Sequence, residues 1–243
     1  MSIGYKETEE AQSQPAETSQ KPRPKVVVTI PCYNTADSIE DVVLKSIQHA
    51  DQVMVIDDGS TDDTSVKARR AGASVIRRGV NGGYGEAIKS CLKAGSSNDA
   101  DILVTLDGDG QHNPEEIREV AAPILNDEAD MVIGSRFLSK QTNMPRYRRI
   151  GIGIITLLIN LGAKDKVYDA QSGFRAYSKK ALDAISVTET GMSISVEILI
   201  RARKAELRVR EAAISCKYHP SSSTKNPFVH GVEVALSVVR LRL

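Results

Sequence analysis

Tryptophan is absent from this chain, and aromatic residues of any kind make up only 4% of its 243 residues. A protein that stacks nucleobases needs such rings, so a single-stranded nucleic acid platform is a poor fit. Net charge is nearly missing too, with 32 Lys and Arg against 31 Asp and Glu. That balance excludes the basic footprint by which proteins hold a phosphate backbone, and no nucleic acid partner is expected. The three cysteines, Cys32, Cys91 and Cys216, lie far apart and lack metal-type spacing, which predicts reduced thiols in a cytosolic protein. No apolar run reaches the roughly 20 residues of a membrane-spanning helix, and the N-terminus lacks the apolar stretch of a secretory signal. These absences predict a soluble or membrane-peripheral cytoplasmic protein of one ordinary domain, long enough to bury a real core.

Residues 1–24 are rich in Glu, Gln, Ser, Thr and Pro. So little apolar surface cannot offset the entropy of ordering, which predicts a disordered tail ahead of a catalytic domain at 25–230. From Lys25 onward, short β-branched runs alternate with helical spacing. Val26–Ile30 and Val53–Ile56 read as buried strands, and Ala73–Ile76, Ile102–Leu106 and Met131–Ile133 as further strands; Ala36–His49, Tyr84–Gly95 and Pro114–Leu125 read as helices. Such alternation implies βαβ crossovers, hence an α/β fold with a Rossmann-like, mostly parallel central sheet and helices on both faces.

Ligands of such sheets bind beyond the carboxyl ends of the strands, and the unusual polar sequences follow those ends. Asp107 and Asp109, one residue apart, can direct two carboxylates to one point. That arrangement is repulsive unless a proton or a cation such as Mg²⁺ or Mn²⁺ compensates. Gly108 and Gly110 leave room for a diphosphate beside the backbone; a solvated turn is the plainer alternative. Asp57 and Asp58 offer acceptors for a base or ribose, or else form a turn and helix cap. Asn81, Gly82 and Gly83 offer backbone N–H groups at a helix start, suited to phosphate, or simply a flexible turn.

Taken in order, VVVTIPCYN (26–34), VIDDGSTDDT (55–64), NGGYGEAI (81–88), LDGDGQHNPEEI (106–117), GSRF (134–137) and DAQSGFRAYSKKAL (169–182) resemble the inverting family-two glycosyltransferases of type A fold. Within that family the chain is most similar to the polyprenyl-phosphate (dolichyl-phosphate) hexosyl transferases. The resemblance implies nucleotide contacts from Pro31, Tyr33, Asp57, Asp58, Asn81, Gly82, Asp107 and Gly108, and a metal at Asp107 and Asp109 with Gln111 in the same loop. It implies phosphate-handling bases at Arg136 and at Arg148 or Arg149, and an acceptor loop at Ser172, Gly173, Phe174 and Arg175. The pattern is broken at Thr35, where an acidic residue is usual, and in the stretch from Tyr218, where His219 or Lys225 stands in for an arginine.

Arg146, Arg148 and Arg149 precede an apolar stretch, Ile150–Ile159, too short to span a bilayer. It reads either as a core helix with a basic start or as an interfacial one, with apolar surface for an isoprenoid tail beside arginines for its phosphate. The amphipathic segment 231–243 reads as a membrane-resting helix, a packed helix or the stub of a membrane region. The expected partners are therefore a nucleoside-diphosphate sugar, a polyprenyl phosphate and the cytoplasmic face of a membrane, with Mg²⁺ or Mn²⁺ as cofactor. The expected reaction is one in-line displacement with inversion. Transfer to a saccharide or protein hydroxyl, a non-catalytic nucleotide-binding module and a haloacid-dehalogenase-like phosphatase are the competing readings.

Overall fold

A computed structural model describes residues 23–139 and 144–218, together with Ser237 and Arg240. The predicted tail lies outside the described residues except for Arg23 and Pro24. His219, Lys225 and the C-terminal segment other than Ser237 and Arg240 are outside them as well.

Seven strands among the described residues form one sheet in the order β3-β2-β1-β4-β6-β5-β7. They are β1 (Val26–Cys32), β2 (Gln52–Asp57), β3 (Ser74–Arg77), β4 (Ile102–Thr105), β5 (Met131–Ser135), β6 (Arg175–Ser178) and β7 (Val209–Ala213). The helices are α1 (Ile39–Ile47), α2 (Thr64–Arg70), α3 (Tyr84–Ser97), α4 (Ile117–Leu125), α5 (Arg146–Asn160), α6 (Lys179–Ala184) and α7 (Ile194–Lys204). β1 is apolar on both faces because both faces are covered. Val27 belongs to one core with Leu103 and residues of α3, α5, α6 and α7, while Val28 and Ile30 join the other with residues of α1, α2 and α4. The predicted mostly parallel α/β sheet with helices on both faces is the observed one.

Pro31 sits in a central strand without costing a ladder bond. β4 pairs with β1 only as far as Thr29. Beyond that point the Pro31 carbonyl accepts the Gly108 N–H at 3.3 Å, and the Cys32 carbonyl accepts the Asp58 N–H at 2.9 Å from the β2 side. The missing donor therefore falls where the β4 ladder has ended.

β6 alone runs against its neighbours, antiparallel to both β4 and β5. The reversal matters for the site. Arg175, first residue of β6, lies opposite Thr105 and Ile133 near the carboxyl ends of β4 and β5. The loop leading into β6 is thereby delivered to the carboxyl edge. β7 is parallel to β5, so the chain leaving it runs past that same edge. There Cys216 bridges His112, and the Lys217 N–H donates to the Gln111 carbonyl at 2.9 Å.

Candidate active site

Asp107 and Asp109 follow β4. The Asp107 side chain is 30% exposed. Burial pushes its carboxyl up to about 6, against the opposing pull of Arg136, the Tyr84 hydroxyl and Arg175. Asp109 is also raised, by the surrounding protein and then by the charge of Asp107. Two buried carboxylates, one raised further by the charge of the other, are a site with unmet demand for positive charge. Gln111 bonds Asp109 through both its backbone N–H (3.0 Å) and its side-chain Nε2 (2.5 Å). These bonds hold Asp109 in place through the amide nitrogens of Gln111, and its side-chain Oε1 accepts none of them.

His112, not singled out from the sequence, completes the loop. Its Nδ1 accepts the Asp107 N–H at 3.4 Å, and its ring meets that of Phe174 at 5.4 Å between centroids. Burial brings its pKa down to about 4, with Asp109 opposing, so the imidazole is neutral near neutral pH. Ser38 ties α1 to the same loop, donating to the Gly108 carbonyl at 2.7 Å. A side chain on Gly108 would meet the Cys32 Cβ at 3.0 Å and Ile39 at 3.2 Å. A glycine here therefore also serves the protein's own packing of the loop against β1 and α1.

The acidic pair after β2 also departs from expectation. Asp57 is fully enclosed and accepts the Ser60 N–H at 2.8 Å as well as the Ser65 hydroxyl. Asp58 accepts the N–H groups of Gly82 (3.1 Å) and Gly83 (2.7 Å) and pairs with Arg78 at 2.9 Å. Direct base or ribose contacts from these carboxylates are not what the geometry shows, because their oxygens organise the loops around the β2 end. For the same reason the Gly82 and Gly83 N–H groups form no open phosphate cradle. Arg78, which the sequence reading passed over, is the partner that makes this possible. Asn81 stays exposed, and Tyr33 stands at the rim, 45% exposed, while Pro31 is buried within β1.

On the far side of β4, Arg136 follows β5. Its Nε and Nη2 donate to the two oxygens of Asp169 at 2.7 and 2.8 Å, and its Nη1 donates to the Tyr218 hydroxyl at 3.4 Å. Arg148 of α5 lies 5.4 Å from the centroid of the same Tyr218 ring. Two guanidinium groups thus converge on one tyrosine, and the field of Arg136 reaches Asp107. Arg149 lies instead over Phe137, at 5.8 Å.

The predicted acceptor loop is different in kind. Arg175 is 1% exposed, and its guanidinium donates to the carbonyls of Ser172, Ser195 and Ala170, each at 2.8 Å. It cannot meet an acceptor phosphate from there; it is a strut that fastens the loop to the start of α7. Ser172 is enclosed, and its hydroxyl has no hydrogen-bond partner among the described residues. Gly173 is where the loop touches the acidic pair: a Cβ there would stand 2.6 Å from the Tyr84 hydroxyl and 2.9 Å from Asp107. Only glycine lets the loop come so close.

An open α/β sheet whose carboxyl edge sets a carboxylate pair against clustered arginines has the framework of a glycosyltransferase. The chain belongs to glycosyl transferase family 2, whose family model matches residues 27–186. It is 33% identical over 216 residues to the UDP-N-acetylglucosamine–dolichyl-phosphate N-acetylglucosaminyltransferase of Methanococcus voltae, covering 79% of this chain and 86% of that one. A dolichyl-phosphate hexose transferase of Haloferax volcanii is 30% identical over 220 residues, with 90% and 94% covered. Among solved structures, glucosyl-3-phosphoglycerate synthase from Mycobacterium tuberculosis in complex with UDP superposes with a TM-score of 0.70 at 21% identity, covering 90% of this chain and 80% of that one. The same enzyme with Mn²⁺, UDP and glucosyl-3-phosphoglycerate gives 0.66 at 22%, covering 90% and 79%. At these identities the structural likeness shows the fold. The phosphatase reading falls with the family assignment, and with the place of Asp107 after the fourth strand.

Proposed function

We propose that this glycosyltransferase moves a hexose from a nucleoside-diphosphate sugar to a polyprenyl phosphate, with inversion and with Mg²⁺ or Mn²⁺ at Asp107 and Asp109. The relatives named as dolichyl-phosphate transferases support the acceptor class. One observation within the site carries it further. A hydroxyl acceptor must lose a proton to a general base, yet with Asp107 and Asp109 given to the metal, the other acidic and imidazole groups around the β4 and β5 ends among the described residues are committed. Asp169 is locked to Arg136, Glu211 and Glu116 bind backbone N–H groups, and His112 is buried with its pKa near 4. A phosphate monoester has its second pKa at about 6 and arrives already ionised. It needs positive charge and orientation, which Arg136 and Arg148 beside Tyr218 supply.

The donor set fits a hard divalent ion. Two carboxylates with substrate phosphates completing the shell is the usual way Mg²⁺ is held, and the raised pKa of Asp107 and Asp109 is the electrostatic deficit such an ion would relieve. When bound, the metal supplies neutralisation of the departing nucleoside diphosphate. Gln111 keeps Asp109 oriented, Tyr33 borders the nucleotide at the rim, and Asp57 and Asp58 serve it indirectly by shaping their loops.

The α5 face supports a membrane location for the reaction. Tyr147, Ile150, Ile154, Leu157 and Leu161 are all more than half exposed, and they follow a helical repeat along one side. Residues 144–168 carry five basic side chains (Arg146, Arg148, Arg149, Lys164, Lys166) and one acidic (Asp165). An apolar stripe flanked by bases, with Tyr147 and Tyr168 exposed near its ends, matches a helix resting in an anionic lipid surface. Among the described residues no helix is long and apolar enough to cross a membrane. The acceptor reading is tested by offering polyprenyl phosphate and the corresponding polyprenol side by side. Transfer to the phosphate alone is expected; equal transfer to the alcohol overturns it.

A further inference from the structure

Arg136 is held more firmly than a surface arginine has reason to be. Its side chain is 13% exposed and its partner Asp169 is fully enclosed. The bidentate contact uses Nε and Nη2, and the Arg136 backbone N–H also donates to Asp169 Oδ2, at 3.1 Å. Asp169 is itself fixed. Its own N–H and that of Tyr168 donate to the two oxygens of Glu211, at 2.9 and 2.8 Å. Glu211 lies in β7, opposite Ile133 in the β5–β7 ladder. One carboxylate thus holds the backbone that presents a second, and the second grips the guanidinium at the end of the adjacent strand.

A free arginine side chain gives up rotamer entropy when it is ordered. Here that ordering is complete before any substrate arrives, which is the condition under which a charge stabilises a transition state without reorganising. We propose that Asp169 is a positioning residue. It fixes Arg136 so that its Nη1 edge faces the phosphate oxygens beside Tyr218, and Glu211 fixes Asp169. Neither carboxylate touches substrate. Both Asp169 oxygens are taken up by Arg136, so Asp169 is not a base. The proposal rests on the functional reading above for the phosphate, but not for the lock itself.

Two measurements separate the lock from that reading. In ¹⁵N-labelled protein the Arg136 Nε–H, assigned by its loss in Arg136→Lys, is expected as a downfield, slowly exchanging signal that disappears in Asp169→Asn. A fast-exchanging signal in the unaltered protein overturns the lock, whatever the enzyme's substrate. In the transfer assay, Asp169→Asn is expected to lower kcat by about 10- to 100-fold, the range for removing an outer partner of an active-site group, with donor KM nearly unchanged. Glu211→Gln, which keeps one acceptor oxygen, is expected to lose less. In an Arg136→Lys background Asp169→Asn is expected to add less than about 3-fold, because both changes remove one interaction. Full multiplication of the two losses at unchanged melting temperature overturns positioning through Arg136. No transfer by the unaltered enzyme sinks the functional reading and leaves the spectroscopic result to decide the lock.

Discussion

At the scale of single residues, Asp107 works against the fold that holds it. A carboxylate raised to about 6 in the native state and near 4 in the unfolded chain binds more protons when folded. The stability this gives is present at low pH and is lost as pH rises through the window from about 4 to about 6. Above that window the ionised group is a net burden on the metal-free protein. Asp107→Asn should therefore raise the melting temperature of the metal-free protein at pH 7.5 and change it little at pH 4. Thermal melts at both values check this, and a lower melting temperature at pH 7.5 would contradict it. The acidic pair was legible in the sequence because its chemistry is local: two carboxylates one residue apart after an apolar run. The duties of Asp57, Asp58 and Arg175 were not legible, since each depends on partners that only the fold supplies. Gly82 comes from the β3–α3 loop and Ser195 from α7. A charged side chain in a motif reads as a ligand contact until its burial is known.

At the scale of elements, the five strands that read clearly are the ones whose residues are apolar. β6 opens on Arg175 and β7 sets Arg210 and Glu211 between small residues, so neither offers the adjacent β-branched pair that marks even the short β3. Their pairing also depends on a tether that no local pattern announces. Asp130, just before β5, accepts from Arg208 at the start of β7 through backbone N (2.8 Å) and side chain, and from Lys180 of α6 at 3.2 Å. Burial works to raise this carboxyl, but the hydrogen bonds from Arg208 and Lys180 outweigh it and bring the pKa down to about 2. A depressed carboxylate stabilises the fold above its unfolded pKa near 4, and that contribution is lost as pH falls through about 2. Asp130→Asn should lower the urea midpoint at pH 7, and the difference from wild type should vanish near pH 2; a difference that persists at pH 2 would assign the effect to packing. For α5, Ile154→Glu with Leu157→Glu should leave the melting temperature within about 2 °C, as surface changes do. The same pair should abolish co-sedimentation with phosphatidylglycerol vesicles. Undiminished binding would move the membrane contact away from this face.

At the scale of the whole molecule, the two cores divide the labour. The sheet with α1, α2 and α4 behind it sets the loops around the β2 end and the carboxylates after β4, while α3, α5 and α7 back the side that brings Arg148, the strut Arg175 and the loop into β6 to the same edge. The reversed β6 joins the two halves, which is why the carboxylates after β4 and the arginines Arg136 and Arg148 reach one edge although they are distant in the chain. One assay addresses that convergence. Labelled UDP- and GDP-sugars are offered with a short polyprenyl phosphate, with Mg²⁺ or Mn²⁺ and with chelator, for the unaltered chain and for Asp109→Asn. Label is expected in the organic phase from one donor, abolished by chelator and reduced at least ~100-fold in the variant, the scale of losing a main electrostatic contributor. Transfer that survives both chelator and Asp109→Asn would contradict it.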